Sequence, residues 1–229
     1  MSSICIITAR GGSKRIPRKN IRNFLGKPII AYSIEAAINS GLFDEVMVST
    51  DDNEIKFVAE KYGAKVPFIR TAINANDHAS TIDVLLEVLQ KYNDLGFFFD
   101  TACCLYPTAP FVTPQTLSKA YEMLVKNSLD CVFPVIQYSF PIQRALKIKS
   151  ENKVEMFYPE YLKSRSQDLE KSYHDCGQFY FFKPEVIFEK QKLYTDNTGV
   201  IVRDEIQSQD IDNETDWKLA EIKYRLFNE

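Results

Sequence analysis

Several signatures are missing from this chain, and each absence excludes something. Among 229 residues there are two histidines, His78 and His174, and no Ser/His/Asp spacing around either, so the nucleophile and base of a hydrolase are not present. Neither a Walker A loop nor a G-x-G-x-x-G run occurs, which disfavours a P-loop ATPase and a dinucleotide enzyme. Cys5, Cys103, Cys104, Cys131 and Cys176 are odd in number, lack metal-type spacing and mostly lie in apolar runs. They read as buried reduced thiols, not as disulfides or zinc ligands. No apolar stretch approaches membrane-spanning length, and the first apolar run is short and has no small-residue cleavage site, so a cytoplasmic protein without a membrane partner is expected. Internal repeats and low-complexity tracts are absent too. One further scarcity is local: no acidic residue precedes Glu35.

That last absence leaves Arg10, Lys14, Arg15, Arg18, Lys19, Arg22 and Lys27 as an uncompensated basic block in a chain of net charge -3. Its first five members sit in the stretch from Thr8 to Asn20, directly after the strand-like run Ile4-Cys5-Ile6-Ile7. A solvated basic loop is the simplest meaning of a charge run. Position argues against it here. Gly11 and Gly12 let a backbone approach a ligand and turn N–H groups toward it, cations supply the charge, and the carboxyl edge of a first strand is where α/β sheets bind ligands. Ala9 to Lys14 is therefore expected to hold a compact polyanion such as a nucleoside triphosphate. Basic charge confined to one end of a slightly acidic chain argues against a general nucleic-acid surface.

The remaining pattern alternates. Pro28 opens a helix closed by Gly41, Val46 to Ser49 reads as a strand, and Asn53 to Tyr62 as a helix stopped by Gly63. Val66 to Ile69 reads as a strand, Thr81 to Tyr92 as a helix capped by Ser80, Phe97 to Leu105 as a buried strand, Pro114 to Asn127 as a helix and Cys131 to Val135 as a strand. The fold class is α/β, a mainly parallel sheet flanked by helices. Between Gln137 and Asp175 the alternation breaks. Residues 138–173 read as an insertion in the single domain 1–229, with a hairpin turning at Glu151-Asn152, and its aromatics suit a dimer arm or a lid. Gly177 to Phe182 and Val200 to Arg203 resume the sheet, and Glu214 to Phe227 reads as a closing helix.

Gln209-Asp210-Ile211-Asp212 places two carboxylates two residues apart, so both face one side of an extended segment. Mg²⁺ is commonly held by one or two carboxylates plus substrate phosphates. For Asp212 alone, a helix cap is the simpler role. Asp51-Asp52, between a strand and a helix, is a rival pair that capping explains fully. Arg70 begins a loop through Asn76, Asp77 and His78 to Ser80-Thr81, and Tyr106-Pro107-Thr108-Ala109-Pro110 follows the longest apolar strand. Both segments belong at the same sheet edge, where they could read a base and ribose.

Taken in order, Ala9-Arg10-Gly11-Gly12-Ser13-Lys14, Pro17-Arg18-Lys19-Asn20, Val48-Ser49-Thr50-Asp51, Pro107-Thr108-Ala109-Pro110 and Asp210-Ile211-Asp212 resemble the sialate-type cytidylyltransferases, or CMP-sugar-acid synthetases, over nearly the whole chain. The resemblance implies a nucleotide-diphospho-sugar transferase-like fold, a homodimer, Mg²⁺, and transfer of CMP from CTP to a nine-carbon 2-keto sugar acid. It implies that Arg10, Lys14 and Lys19 act catalytically on the triphosphate with Ser13, that Asn20 orders the loop, and that Arg70, Ser80, Thr81 and Tyr106 surround the nucleoside. Asp210 and Asp212 match metal ligands. Tyr106, His174, Asp175 and Gln178 fall on the acceptor side. Sialic acid members usually carry Gln at the place of Tyr106 and Arg-Pro-Asn-Gly where this chain has His174-Asp175-Cys176-Gly177, and Asp175-Cys176-Gly177-Gln178-Phe179-Tyr180 points to pseudaminic acid. Legionaminic acid, N-acetylneuraminic acid and Kdo are the alternative acceptors. A non-catalytic nucleotide sensor is the alternative of another class.

Overall fold

In the computed structural model, which describes residues 1–228, apolar runs that the sequence places between turns become buried strands. The elements follow in chain order: β1 (Ser3–Thr8), the paired β2 (Asn23–Phe24) and β3 (Lys27–Pro28), α1 (Ile29–Ser40), β4 (Glu45–Ser49), α2 (Asn53–Lys61), the short α3 (Ala72–Ala75) and α4 (Thr81–Asp94). Then come β5 (Thr101–Leu105), α5 (Pro114–Lys126), β6 (Cys131–Gln137), β7 (Leu146–Ile148) and β8 (Val154–Met156). The chain continues through β9 (Tyr173–Asp175), β10 (Phe179–Phe182), α6 (Pro184–Lys190), β11 (Thr198–Arg203) and α7 (Glu214–Asn228).

The main sheet has the order β11-β6-β10-β5-β1-β4, with β9 added to β6. β4, β1, β5, β6 and β11 run one way, whereas β10 and β9 run against them. A strand covered on both faces must be apolar at every position. β1 meets that demand by alternation: Cys5 and Ile7 pack with α1 and α5 residues on one face, Ile4 and Ile6 with Leu85, Val88 and Leu89 of α4 on the other. The register pairs Thr8 with Ser49, Ile7 with Leu105 and Leu105 with Phe179. One edge of the sheet therefore gathers the loops after β1, β4 and β5 and the segment before β10. A third cluster, of Ile16, Phe24, Tyr32, Phe111, Ile211 and Trp217, packs α7 beneath the basic loop, and the Arg22 guanidinium lies 4.6 Å over the Trp217 ring.

Local signals account for most boundaries. Gly41 caps α1 in the left-handed region, the Asp52 side chain accepts from the first turn of α2, and Ser80 with Asp83 forms a capping box on α4. Three expectations need correction. Val66 to Ile69 is not a strand: Lys65 alone bridges to Met47, and Pro67 has no N–H with which to extend the ladder. The strand expected from Phe97 begins only at Thr101, because Gly96 turns at φ +82° and Asp100 accepts from the Ser2 N–H at 2.7 Å. The strand expected from Gly177 begins at Phe179, since Gly177 itself turns at φ +60°.

All five cysteines are free and buried, as the apolar runs imply. Burial pushes the Cys131 thiol up to about 12, and it raises Cys104 further still, so these groups stay protonated and carry no nucleophilic chemistry. In 138–173, β7 and β8 form the expected hairpin outside the main sheet, with Glu151 and Asn152 both at positive φ in its turn. Phe140 and Ile148 there are 83% and 78% exposed, and Phe157 and Tyr158 are exposed as expected, but Tyr161 is half-buried.

Candidate active site

The loop after β1 is held from both ends. Ala9 is buried and its N–H donates to the Ser49 carbonyl at 3.0 Å, while the Asn20 amide donates to the Arg10 carbonyl at 2.9 Å, which is the ordering role expected of Asn20. Gly11 serves the loop differently from the expectation. Its N–H does not face the ligand side: it donates to Asp51 Oδ1 at 2.8 Å, and a Cβ there would stand 2.8 Å from Asp52 Oδ2. Gly11 is needed because an Asp pair approaches its backbone closely. Gly12 meets no such constraint, since a Cβ would touch nothing. Asp51 and Asp52 are thereby engaged in loop anchoring and capping, and Asp52 also pairs with Arg18 at 2.6 Å, the largest cause holding its carboxyl down to about 2.

A cleft of about 640 Å³ lies along the carboxyl edge of the sheet. Arg10, Ser13, Lys14, Lys19 and Asn20 line it. Arg70, Ser80, Thr81 and Tyr106 line it as well, together with Asp210 and Asp212. Arg70 is buried, with Nε donating to Ser49 Oγ at 3.0 Å and Nη2 to the Ser49 carbonyl at 2.5 Å. Desolvation lowers its pKa, against the charge of Asp51. The Tyr106 hydroxyl sits 3.3 Å from Thr81 Oγ1, and burial raises the phenol. Lys19 Nζ donates to the Ile211 carbonyl at 2.6 Å; burial lowers its pKa while Asp212 and Asp210 oppose that shift.

The basic block is compensated in space, contrary to its appearance in sequence. Arg10 and Lys14 both pair with Asp77, Arg15 with Asp212 at 2.8 Å, Arg22 with Glu214 at 2.5 Å and Lys27 with Glu35. The partners come from segments up to 197 residues away, which no local charge count could register. Asp77 had been placed in the base-and-ribose loop, but its carboxylate reaches back to the phosphate-side cations, and Lys14 first and Arg10 second lower its pKa.

Around the carboxylate pair, alternation holds: Ile211 is fully buried in the α7 cluster, and Asp210 and Asp212 on either side of it both line the cleft. The capping role goes elsewhere. Asn213 Oδ1 accepts from the N–H groups of Thr215 at 2.8 Å and Asp216 at 3.1 Å, and Asp216 accepts in return from Asn213, which makes Asn213 the cap of α7. Asp212 is thus freed for the cleft. Burial and then the Asp212 charge raise the Asp210 carboxyl above its usual value, the state that a cation between the two would relieve. Two carboxylate oxygen sources suit a hard cation such as Mg²⁺ that takes its other ligands from phosphates and water. Among the described residues no third His, Cys, Asp or Glu joins them.

The acceptor-side residues separate. His174 and Asp175 line a second cavity of about 350 Å³ that meets the cleft at Asp210, whereas Gln178 lines neither, being buried with its amide donating to the Gln207 carbonyl at 2.9 Å. A third cavity of about 350 Å³ shares Ser80, Thr81 and Tyr106 with the cleft and is otherwise walled by Ile82, Tyr180, Leu193 and Tyr194, with Lys192 as its one charged lining residue. Tyr194 had no sequence signal, because the loop after α6 brings it back to the sheet edge.

A basic loop and a carboxylate pair lining one cleft at the carboxyl edge of such a sheet define a nucleotidyltransferase-type α/β domain. In fold the chain is similar to a CMP:2-keto-3-deoxy-manno-octonic acid synthetase solved with CTP, at TM-score 0.72 and 18% identity, over 100% of this chain and 99% of that one. The chain belongs to the cytidylyltransferase family, whose model matches residues 4–194. It is 46% identical to the pseudaminic acid cytidylyltransferase of Campylobacter jejuni, over 100% of this chain and 99% of that protein. With the CMP-N,N'-diacetyllegionaminic acid synthase of Legionella pneumophila it shares 35% identity, over 100% and 99% respectively.

Proposed function

We propose that this cytidylyltransferase transfers CMP from CTP to the anomeric hydroxyl of pseudaminic acid, releasing pyrophosphate. The observation that carries the reading is the cleft itself, where Arg10, Lys14 and Lys19 share one space of about 640 Å³ with Asp210 and Asp212. The acceptor oxygen forms a bond to the α-phosphorus as the bond to the bridging oxygen of the departing pyrophosphate breaks, and the hydroxyl proton is released. Charge grows on the leaving group, so fixed cations aimed at it stabilise the transition state more than the ground state. Arg10 and Lys14 fill that role on exchanging Asp77 for phosphate oxygens. Lys19, tied to the Ile211 carbonyl, keeps its charge between the triphosphate and the carboxylate pair. Arg70, Ser80, Thr81 and Tyr106 orient the nucleoside. Asp210 and Asp212 are the residues that would hold Mg²⁺, which when bound supplies counter-charge to the phosphates.

Likeness over full length to the Campylobacter jejuni enzyme supports the choice of acceptor, and so does chemistry. The apolar wall of Tyr180, Leu193 and Tyr194 suits acylamino methyl groups and a terminal deoxy carbon better than a glycerol tail, whose hydroxyls it would leave unpaired. We also assign the enzyme to the cytoplasm, where CTP is available, and to a homodimer joined through 138–173. No helix among the described residues is long and apolar enough to cross a membrane. The test is pyrophosphate release from CTP and Mg²⁺ with pseudaminic, legionaminic and N-acetylneuraminic acids and Kdo. Preference for pseudaminic acid is expected. Preference for N-acetylneuraminic acid overturns the acceptor alone, and tight CTP binding with no release from any of the four replaces the enzyme with a nucleotide sensor.

A further inference from the structure

Asp175 lies between the two side cavities, and its carboxylate is committed to groups of this chain. Oδ2 accepts from the hydroxyls of both Tyr180 and Tyr194, and Oδ1 accepts from the Gly177 N–H at 2.8 Å. These partners sit in the turn after β9, on β10 that follows it, and on the loop between α6 and β11, so one side chain ties its own turn and β10 to a separately threaded loop. Ring packing completes the arrangement. Tyr180 stands edge-on to Tyr106 at 5.8 Å, Tyr194 lies 4.8 Å from Phe133, and the two tyrosines are 6.2 Å apart. Tyr194 is half exposed and belongs to a loop, so its place depends on the Phe133 contact and on Asp175.

A carboxylate only accepts, so both phenols must donate to it, and their oxygens are turned to Asp175 instead of to the cavity. What the third cavity then receives from Tyr180 and Tyr194 is carbon. Tyr180 is buried between Tyr106 and Phe133 and stays in place without that acceptor, whereas the half-exposed Tyr194 is free to swing its hydroxyl into the cavity and make it polar.

We propose that Asp175 is a positioning residue that sets acceptor selectivity, by holding Tyr180 and Tyr194 as an apolar wall beside the nucleotide cleft. This rests on the acceptor chemistry proposed above, in which the sugar acid occupies the cavity next to Tyr106. Asp175 itself does not touch the acceptor in this arrangement. Its neighbour His174 points away, its ring 4.8 Å from that of Tyr138.

Asp175→Asn tests the idea at nearly constant volume, because its oxygen can accept from the Gly177 N–H but its amide nitrogen only donates, which leaves the phenol hydrogens without their acceptor. Steady-state kinetics with CTP against pseudaminic and N-acetylneuraminic acids would be measured for the parent enzyme, Asp175→Asn, Tyr194→Phe and the double variant. The KM for pseudaminic acid is expected to rise about tenfold in Asp175→Asn, the scale of one lost hydrogen bond to a charged group, with the KM for CTP within about twofold of the parent. Preference over N-acetylneuraminic acid should narrow. Tyr194→Phe, which cannot turn a hydroxyl inward, should keep the preference, and in the double variant it should restore part of what Asp175→Asn loses. A brace with only a structural role would shift both KM values together and would not be rescued. Unchanged acceptor KM, parallel shifts, or an additive double variant each overturn the proposal. Should the parent enzyme bind CTP yet turn over no acid, the acceptor reading falls and takes this inference with it; a productive parent with a silent Asp175→Asn removes this inference alone.

Discussion

A single residue step separates a cap from a proposed metal ligand at the start of α7. Asn213 satisfies the first-turn N–H groups, and Asp212, its neighbour, faces the cleft and pairs with Arg15. Asn213→Ala is therefore expected to cost about 1 kcal/mol of stability, the usual value of a lost cap, with metal-dependent turnover nearly intact. Asp212→Ala should do the reverse, abolishing turnover while the denaturation midpoint hardly moves. Urea unfolding and pyrophosphate release on both variants check it, and a fully active Asp212→Ala would dismiss the carboxylate as a metal ligand. At this scale the sequence was legible where spacing alone sets direction, as in the run Asp210, Ile211, Asp212, whose middle residue alone is fully buried. It was silent where a partner is distant: nothing near Arg10 or Lys14 announces Asp77, and nothing near Gly11 announces that its hydrogen makes room for Asp52.

The segment between α2 and α4, which carries Arg70 and Asn74 into the cleft, is fastened by one side chain of α4. Glu87 accepts from the Thr71 N–H at 2.9 Å, the Thr71 hydroxyl at 2.8 Å, the Asn74 amide at 2.6 Å and Lys91 Nζ at 2.6 Å. Burial alone would raise its carboxyl, but the bonds from Lys91, Thr71 and Asn74 outweigh it and bring the group from 4.5 down to about 2. A carboxyl depressed in the folded state stabilises above its unfolded pKa and loses that contribution as pH falls through the folded one. Between pH 4.5 and 2 the parent should thus lose up to about 3 kcal/mol that Glu87→Gln does not lose. Denaturant titrations across that interval measure it, and identical acid limbs in the two proteins would refute it. Elements with local signatures were readable from sequence: the capping box at Ser80, Gly41 after α1, and the Glu151-Asn152 turn. Strand direction was not. β10 is as apolar as β1, and only its pairing against β5 and β6 reveals that it runs backwards. The short β9, α3 and α6 lack the length that makes a period visible.

For the molecule as a whole, the open question of surface lies in 138–173. Phe140, Ile148, Leu146, Val154 and Leu162 are all exposed there, a larger apolar area than a lone chain normally shows to water. A second copy of the same chain covers such a patch by symmetry. Sedimentation at micromolar concentration is expected to give a dimer, and Ile148→Asp with Phe140→Asp to give a monomer whose fold is unchanged. A monomeric parent would leave the segment as a lid within one chain. The β7–β8 hairpin of this segment was legible from the break in alternation and the Glu151-Asn152 turn. Which side of it is covered depends on contacts that composition does not encode.

Trp217 is the chain's sole tryptophan, and it is buried under the basic loop with Ile211 in its cluster and Arg22 over its ring. Its indole N–H donates to Glu221 at 3.0 Å, so the ring is fixed in one orientation. The same cluster carries the strand of chain that presents Asp210 and Asp212. The protein accordingly contains its own optical probe. Excited at 295 nm, where tyrosine absorbs little, its emission should be blue-shifted at rest and should change in intensity on titration with Mg²⁺ and CTP, through the charge of Arg22 and the seating of Ile211. A response lost in Asp212→Ala but kept in Asn213→Ala would let the occupancy of the site be followed in real time, without a label and without turnover.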